Sequence, residues 1–399
     1  MRLLYLADTR FPLERANGIQ TMETCHALAR RGHRVTLIVR ATGAERDPFA
    51  FYDLPPSDAL RIERVAVPPG PAVLQRAAYL AGALGRVRRA TADVVLTRDL
   101  GVASALARFK GRRQPPVVYE SHGFAPIVSA ALPAMLSGAP APSPRKLARL
   151  ARRERRVWLG AAGYVTITRA LADELAGRFG ARTAVAVVPD GARPQARAGP
   201  GSPPSGPPLA GYAGHLYPWK GVDTLLEALT RAPTFGAVIV GGHPAEPDLA
   251  RVQALAERLD VAARVRFTGH VAPAAVADAL SKATVLVLPN RGGEVSARYT
   301  SPLKLFEYLT LGKPIVASDL PAIREVLHHG RDAWLVAPDD PVAMAEGLDT
   351  LARDPALERR LASASLRLAG AYTWDRRAER LEHLLKEALA RHDEPTVRP

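Results

Sequence analysis

The chain has 399 residues, of which 47% are hydrophobic, and a formal net charge of +15 at pH 7. This length predicts two domains, and the single cysteine, Cys25, excludes an intrachain disulfide and favours a reducing compartment. No uncharged apolar run approaches the roughly 18 residues that span a bilayer, and the apolar run at the N-terminus is too short for a signal peptide. We therefore expect a cytoplasmic protein.

Short apolar runs alternate with helical patterns in the first half of the chain. Strands are predicted at residues 3–7, 35–39, 94–96, 117–119, 164–167 and 185–188, with a helix over 19–31. This alternation indicates a parallel, doubly wound α/β sheet. We assign residues 1–191 to this first domain.

A Pro- and Gly-rich segment separates the first domain from a second series of the same kind. Residues 192–208 have the composition of a linker. Strands are predicted at 209–213, 237–240, 265–267, 285–288 and 315–318, with a helix over 221–230, so that residues 209–371 form a second domain. A charged amphipathic helix over 374–390 follows. Both halves alternate predicted strands with predicted helices, which suggests two α/β domains that face each other across a cleft.

Residues 300–319 are predicted to form a loop, a helix, a tight turn and a strand. Ser301 is a candidate N-cap, and Pro302 suits the first turn because its missing N–H costs nothing there. The helix would then begin at the carboxyl edge of a parallel sheet, where its N–H groups and dipole favour a phosphate. Glu307 is placed to reach a ribose attached to that phosphate. An ordinary exposed pair of Lys304 and Glu307 is the alternative.

Polar residues also follow two strands of the first domain. Asn17 and Gly18 lie in the loop before the first helix, and a glycine there permits close approach of a phosphate or sugar. Glu120 and His122 follow the strand at 117–119, where a histidine can bond a sugar hydroxyl or move a proton. A simple turn and a structural histidine are the respective alternatives.

The loop from Gly211 to Gly221 connects a strand to a helix in the second domain. Its glycines permit close approach of a ligand, and Lys220 is placed to neutralise a diphosphate. The P-loop spacing is absent, so ATP hydrolysis is not expected. The scattered histidines show no zinc spacing, and no metal site is predicted.

These motifs follow one another in an order known from a protein family. The runs at 17–20, 120–123, 214–221, 240–242, 265–269 and 301–318 together resemble the family-4 retaining glycosyltransferases of the GT-B fold, also called group 1 glycosyl transferases. The resemblance extends over about residues 1–390. It implies two Rossmann-like, doubly wound parallel-sheet domains, with residues 372–391 packing back on the first. It also implies that the second domain binds a nucleotide-diphosphate sugar and the first holds the acceptor.

The resemblance assigns roles to individual residues. Glu307 matches the residue that binds the ribose hydroxyls, Lys220 the one on the donor phosphates, and His122 the one near the reacting sugar; these are the expected catalytic residues. Further expected donor contacts are Gly18, Gly214, His215, Tyr299, Ser301, Pro302 and Leu303, and the acceptor side is expected to include Asn17 and Glu120 with His122.

Two positions depart from the family pattern. Tyr299 stands where the family usually has a glutamate eight residues before Glu307. His215 stands where an arginine usually accompanies the phosphate-binding lysine. These replacements bear on the contact with the donor sugar, whose identity stays open.

The resemblance further implies sugar transfer with retention of configuration, without a cofactor or an essential metal. UDP-sugars are favoured over GDP-sugars, and the expected acceptor is lipid-linked, a surface polysaccharide or another glycoside. One alternative is a nucleotide-sugar epimerase or hydrolase on the same fold. Another is a non-catalytic partner or polyanion-binding protein.

A dense basic cluster lies between Arg145 and Arg156 and is followed by Trp158. A basic helix with an aromatic residue is typical of contact with an anionic membrane surface, so peripheral association with the inner face of the membrane is one expectation. A solvated arginine face is the alternative. The chain lacks a recognised nucleic-acid module, and no nucleic-acid partner is expected.

Overall fold

The computed structural model describes residues 1–41, 46–108, 114–135, 139–195, 206–243, 246–272 and 275–393. The chain divides into two compact units, each built around one parallel sheet. The first unit comprises residues 1–129, 142–190 and the segment from Trp374 onward, and the second comprises residues 130–141 and 191–373. Of the predicted linker, residues 196–205 lie outside the described part of the chain.

The sheet of the first unit has seven parallel strands in the order β3-β2-β1-β4-β5-β6-β7. The strands are β1 (Arg2–Arg10), β2 (Arg34–Arg40), β3 (Leu60–Val65), β4 (Val94–Thr97), β5 (Val117–Ser121), β6 (Gly163–Thr166) and β7 (Val185–Val187). The helices in this part of the chain are α1 (Ala16–Arg30), α2 (Pro48–Phe51), α3 (Ala72–Arg89), α4 (Leu100–Arg108), α5 (Ala125–Met135), α6 (Pro144–Gly160) and α7 (Arg169–Phe179). Strand β3 was not predicted, because it is an edge strand with three charged residues and no continuous apolar run.

The sheet of the second unit has six parallel strands in the order β10-β9-β8-β11-β12-β13. They are β8 (Leu209–Ala213), β9 (Gly236–Val240), β10 (Val265–Gly269), β11 (Val285–Leu288), β12 (Ile315–Ser318) and β13 (Trp334–Val336). The helices are α8 (Val222–Leu229), α9 (Asp248–Arg258), α10 (Val276–Ala279), α11 (Glu294–Arg298), α12 (Leu303–Thr310), α13 (Pro321–Arg324), α14 (Pro341–Arg353) and α15 (Pro355–Ala369).

Both faces of this second sheet are covered by apolar side chains. Along β11, Val285 and Val287 belong to one core, whereas Leu286 and Leu288 belong to the other. This is why the central strands read as continuous apolar runs and were predicted with correct bounds. The predicted doubly wound parallel-sheet fold is confirmed.

A long helix, α16 (Trp374–Asp393), belongs to the first unit. Its apolar residues Leu381, Leu384 and Leu385 are buried, and Leu384 packs against β6 beside Gly163. The chain therefore returns to the first domain, as the fold class predicts. Among the residues that the structure describes, no helix is both long enough and apolar enough to cross a membrane.

Candidate functional site

Helix α12 is held against the end of β8 at the carboxyl edge of the second sheet. The backbone N–H of Ala213 donates a 2.7 Å hydrogen bond to the hydroxyl of Tyr308, which is fully buried. Apolar residues of α12 recur at helical spacing and join the same core as β11 and β12. Gly312, with a φ of 63°, follows the helix as predicted. The first turn of α12 is therefore positioned at the strand ends.

Within the described part of the chain, the N-cap residue of α12 provides no side-chain cap. The N-cap residue is Pro302, with φ of −75° and ψ of 124°, and it makes no side-chain cap hydrogen bond. The prediction that Ser301 caps this helix is wrong, because the helix begins at Leu303 and Ser301 lies one residue too early. The positive end of the helix dipole is thus available to an anion without competition from a capping side chain.

Lys304, in the first turn of α12, is buried and unpaired. Only 7% of the residue is exposed, and among the described residues its Nζ has no hydrogen-bond partner. The ammonium lies 3.8 Å from the ring centroid of Tyr212. Burial and the charge of Lys220 hold the pKa of Lys304 well below its usual value, partly offset by Glu307. The alternative of an ordinary exposed pair of Lys304 and Glu307 is therefore wrong.

Gly214 follows β8 directly beside this lysine. Its φ of +133° lies in the region that favours glycine, and a Cβ at this position would lie 3.1 Å from Lys304 Nζ. The neighbouring Tyr212 is fixed in place, because its hydroxyl donates a 2.6 Å hydrogen bond to the carbonyl of His215. The backbone at Gly214 therefore comes closer to the Lys304 amine than a residue with a side chain would allow.

Lys220 and Glu307, both predicted site residues, lie in the same part of the second unit. Lys220 ends the 3₁₀ turn before α8, and its Nζ lies 3.5 Å from the ring centroid of Trp219. Burial lowers the pKa of Lys220 to about 7. Glu307 lies one turn after Lys304 and is partly buried; burial raises the pKa of its carboxyl group, and the charge of Lys304 opposes this rise.

Two further buried polar groups lie unpaired in adjoining loops. Asn290, after β11, is fully buried, and neither polar atom of its amide finds a hydrogen-bond partner within the described ranges; the same holds for the indole N–H of Trp219. The two loops contact each other through a 3.1 Å hydrogen bond from the N–H of Arg291 to the carbonyl of Trp219. Since buried polar groups are ordinarily paired, their accumulation at one sheet edge is typical of a ligand site.

Of the two residues that depart from the family pattern, His215 contacts neighbouring side chains and Tyr299 is buried. His215 Nδ1 lies 3.3 Å from Glu246 Oε2, and the His215 ring stacks on Tyr217 with 4.9 Å between centroids. Tyr299 follows α11 and is only 4% exposed. The expected contacts of His215 and Tyr299 with a donor stay predictions.

In the first unit, Glu120 is the centre of a buried polar network. Strand β5 extends to Ser121, so Glu120 is a strand residue and not the loop residue predicted. Its Oε1 accepts hydrogen bonds from Gln20 Nε2 at 2.5 Å, Arg377 Nη2 at 2.5 Å and His122 Nε2 at 2.7 Å. Burial alone would raise the pKa of Glu120, but the charge of Arg377 and the bond from His122 hold it well below its usual value. Glu120 is therefore ionised.

Arg377 enters this network from α16. Only 1% of its side chain is exposed, and its guanidinium also donates to Thr24 Oγ1 at 3.1 Å and to the carbonyls of Val188 and Pro189 at 2.8 and 3.0 Å. Sequence reasoning missed this residue. The available signal was its position four residues before Leu381, within the apolar stripe of an otherwise charged helix.

The same network sets the protonation state of His122. Burial and the charge of Arg98 lower the pKa of His122, and Glu120 and Asp190 oppose this. The imidazole is therefore neutral near pH 7. Because Nε2 faces an ionised carboxylate, we infer that Nε2 carries the proton and that Nδ1 is the acceptor. His122 can thus receive a hydrogen bond or a proton from a hydroxyl group.

Asn17 and Gly18 lie within the first turn of α1. The prediction that they lie in the loop before this helix is wrong. Asn17 is exposed and Gly18 is buried. A Cβ at Gly18 would lie 2.3 Å from the carbonyl oxygen of Leu13 and 2.6 Å from Tyr52 Oη. Gly18 therefore has a packing role here, and its expected contact with a donor phosphate stays a prediction.

The basic cluster forms most of α6, which Ser143 caps through its hydroxyl. The exposed basic residues are Arg145, Lys146, Arg149, Arg152 and Arg155. Trp158 is 2% exposed, and its indole N–H donates to the carbonyl of Gly180 at 2.9 Å. The expectation that this aromatic residue takes part in a surface contact is wrong, because Trp158 faces the core; the exposed apolar residue is Leu159.

The predicted residues thus come together as two groups, one in each unit. Lys220, Gly214 and Glu307 accompany the N-terminus of α12 in the second unit, and Glu120 and His122 share the network of the first. Within the described ranges, no group of three or more His, Cys, Asp and Glu side chains is arranged to hold a metal ion.

Solved structures of similar fold match almost the whole chain. Sucrose-phosphate synthase from Thermosynechococcus elongatus has a TM-score of 0.76 at 17% identity, over 98% of this chain and 100% of that one. HepE from Anabaena in complex with UDP and glucose has a TM-score of 0.72 at 19% identity, over 97% and 99%. With its two parallel Rossmann-like sheets, the chain has the GT-B fold.

The family follows from sequence models. One described as glycosyl transferases group 1 matches residues 207–354, and one described as glycosyl transferase 4-like domain matches residues 18–191. The chain belongs to the group 1 glycosyl transferases, as predicted.

Curated relatives include two proteins named D-inositol 3-phosphate glycosyltransferase. The one from Xylanimonas cellulosilytica is 29% identical over 405 residues, 94% of this chain and 92% of that protein. The one from Streptomyces avermitilis is 32% identical over 299 residues, 69% of this chain and 61% of that protein. Phosphatidyl-myo-inositol mannosyltransferase from Mycobacterium tuberculosis is 35% identical over 165 residues, 39% of this chain and 41% of that protein. The chain therefore spans less than two thirds of the length of two of these three relatives.

Proposed function

We propose that this protein transfers a sugar from a nucleotide-diphosphate sugar to a hydroxyl group of an acceptor. The observation that carries the proposal is the uncapped N-terminus of α12, with Lys220 and unpaired buried polar groups around it. This arrangement lies within the segment that the group 1 model matches. A helix N-terminus at the carboxyl edge of a parallel sheet suits a phosphate, and Glu307 in α12 suits the ribose hydroxyls of the same nucleotide.

The chemistry proposed for this site is charge stabilisation. The bond between the sugar and the diphosphate breaks as the bond to the acceptor oxygen forms on the same face, and the acceptor proton passes to a leaving phosphate oxygen. The configuration at the sugar is thereby retained. Lys220 and the α12 N-terminus would stabilise the negative charge on the leaving group, and loss of one such donor commonly costs about 2.7–4 kcal/mol. These groups supply positive charge, and we propose that no cofactor and no divalent ion is required.

His122 is proposed to act on the acceptor side. Its neutral ring, with Nε2 bound to Glu120, offers Nδ1 to a sugar hydroxyl. Arg377 and Gln20 hold Glu120 in place, so that the orientation of His122 does not depend on substrate. Asn17, exposed at the start of α1, is a further acceptor-side candidate.

The donor proposed first is a UDP-sugar, with a GDP-sugar next. A protein of the same fold, HepE, is solved with UDP and glucose, which supports a uridine donor. Phosphatidyl-myo-inositol in the name of one relative supports a lipid-linked acceptor, which we propose together with a surface glycan, whereas inositol 3-phosphate in the names of two others supports a small soluble acceptor. The exposed arginines of α6 would favour the anionic inner face of a membrane, where such an acceptor lies.

A transfer assay tests the proposal. Purified protein is incubated with UDP-, GDP-, ADP- and TDP-sugars, with and without inositol 3-phosphate or an inositol phospholipid. We expect donor consumption only when an acceptor is present, loss of consumption in Glu307→Ala and Lys220→Ala, and no effect of EDTA. Lys282→Ala, at an exposed lysine of the same unit, is the control and should stay active.

Other outcomes would point to the alternatives. Consumption without acceptor would indicate a hydrolase, and a changed sugar still attached to its nucleotide would indicate an epimerase. Absence of both consumption and nucleotide binding would contradict sugar transfer and favour a non-catalytic role. NMR of the anomeric proton in the product decides between retention and inversion.

A further inference from the structure

Three sources of positive charge converge at the start of α12. Lys304 and Lys220 each contribute a side-chain amine that is positively charged when protonated, and the N-terminus of the helix adds the positive end of its dipole. Helix dipoles favour cations at C-termini and disfavour them in the first turn, where Lys304 lies. Each of the three therefore makes the other two less favourable in the unliganded protein.

Lys304 receives little compensation for this position from the protein. Only 7% of the residue is exposed, and no acceptor among the described residues forms a hydrogen bond with its Nζ. Its close contact is with the face of the Tyr212 ring at 3.8 Å. A cation over an aromatic ring is stabilised only modestly, whereas burial of an unpaired ammonium is costly.

A packing role explains these observations poorly. A methionine or leucine would fill the space over Tyr212 without an unpaired amine. Lys313, by comparison, is a lysine whose amine has hydrogen-bond acceptors within the chain. Lys313 Nζ donates to the carbonyls of Ser281 and Ala283 at 2.9 and 2.6 Å. Lys304 has no such acceptors, although it is more buried. An anion from outside the chain is the partner that its surroundings call for.

His215, which stands where the family usually has an arginine, already faces a carboxylate of this chain. Its ring is stacked on Tyr217 and faces Glu246, so its nearest charge is already a carboxylate. We propose that Lys304 is the second cationic ligand of the diphosphate, acting together with Lys220 and the α12 N-terminus. This inference rests on the proposed function and adds to it a residue and a preference: the site should select two linked phosphates over one.

Binding measurements on Lys304→Met test the inference, with Lys313→Met as the matched control. Isothermal titration with UDP, UMP, uridine and inorganic pyrophosphate is carried out on wild type and both variants, and repeated with the GDP series if uridine compounds do not bind. Charge-assisted hydrogen bonds contribute about 1.5–3 kcal/mol, so Lys304→Met should weaken the diphosphate roughly 10- to 150-fold. The affinity for the nucleoside should be unchanged, and Lys313→Met should bind as wild type does.

A second measurement separates a ligand role from a structural one. Because Lys304→Met removes an unpaired buried charge, the unliganded variant should melt at the same temperature as wild type or higher. Lys313→Met, which loses two hydrogen bonds, should melt lower. A clear loss of stability in unliganded Lys304→Met, with unchanged discrimination between UDP and UMP, would overturn the inference.

The remaining outcomes distinguish this inference from the proposed function. If wild type binds the nucleoside diphosphate and Lys304→Met binds it equally well, the inference fails and the donor site stands. If only pyrophosphate binds, and Lys304→Met loses it, the anion site stands and the nucleotide donor fails. If the transfer assay succeeds while Lys304→Met keeps full affinity for every phosphate compound, Lys220 is the sole lysine of the site.

Discussion

Replacement of Arg377 by methionine should destabilise the first unit, because the buried carboxylate of Glu120 would lose its cationic partner. Arg377 is the largest source of positive charge on Glu120, which is fully buried. The substitution also leaves Thr24 and the carbonyls of Val188 and Pro189 without their donor. Removal of one partner from a buried ion pair costs about 3–5 kcal/mol, a large share of the roughly 5–15 kcal/mol that stabilises a typical domain.

Hydrogen exchange is the suitable assay because the two units need not unfold together. Peptides from β5 and α16 should lose protection by about 150- to 4,000-fold in Arg377→Met, which is the fold-change that about 3–5 kcal/mol implies. Peptides from β8 and β11 in the second unit should be unaffected. The control is Arg376→Met, which removes the adjacent exposed arginine and its surface pair with Glu379; we expect little change.

The pH dependence of this deficit has a definite sign. In wild type the pKa of Glu120 is held below its unfolded value, so the pair stabilises the protein above about pH 4 and this stability is lost as pH falls through the folded value. In Arg377→Met, burial should instead raise the pKa of Glu120, because protonation removes its unpaired charge. The difference between variant and wild type should therefore shrink at acidic pH.

A double variant tests whether the unpaired charge of Glu120 causes the loss of protection. Adding Glu120→Gln to Arg377→Met neutralises the stranded carboxylate and should recover part of the lost protection. Equal protection in Arg377→Met and wild type would refute the view that this pair holds α16 to the sheet. A loss that is the same at pH 4 and pH 7, and that Glu120→Gln does not reduce, would refute the electrostatic explanation.

Three further predictions concern Gly214, Lys220 and the exposed basic residues of α6. Gly214→Ala should destabilise the second unit by about 1–3 kcal/mol in thermal or urea unfolding, because it places a Cβ at a positive φ; Gly177→Ala, in α7 with open space around it, should be neutral or stabilising. With the pKa of Lys220 near 7, binding of UDP should take up protons above pH 7, visible by titration in buffers of different ionisation enthalpy. Lys220→Arg should reduce this uptake and leave only the share of Lys304, whose pKa is also lowered, while an unaltered uptake would rule Lys220 out. Charge reversal at the exposed basic residues of α6 should abolish flotation with anionic but not neutral vesicles, and absence of flotation by wild type would contradict a membrane contact. The residues to reverse are Arg145, Lys146, Arg149 and Arg152.

Local patterns in the amino-acid sequence were sufficient for the fold and for the position of the loops at the carboxyl edge of the second sheet. Continuous apolar runs marked the central strands β8, β11 and β12 with correct bounds. Glycine and proline marked the ends of helices, because their backbone preferences act within one or two residues. The edge strands β3 and β13 escaped prediction, because β3 carries three charged residues and no continuous apolar run, and β13 has only three residues. Lys220, Glu307 and His122 became candidates because each lies in a segment that follows a strand at the carboxyl edge, and Glu120 because it lies near the end of β5.

Only the tertiary structure decided which charges are buried and what they face. Arg377 and Glu120 are 257 positions apart, and nothing near either residue indicates that α16 carries a guanidinium into the sheet of the first unit. In the sequence, Lys304 and Glu307 could also form an ordinary exposed pair on a helix. In the structure, Lys304 contacts Tyr212 of β8, and its amine is buried and unpaired. The physical reason is the same for both residues. Solvation and electrostatic energy depend on every group within a few ångströms, and the chain brings those groups together only when distant segments pack.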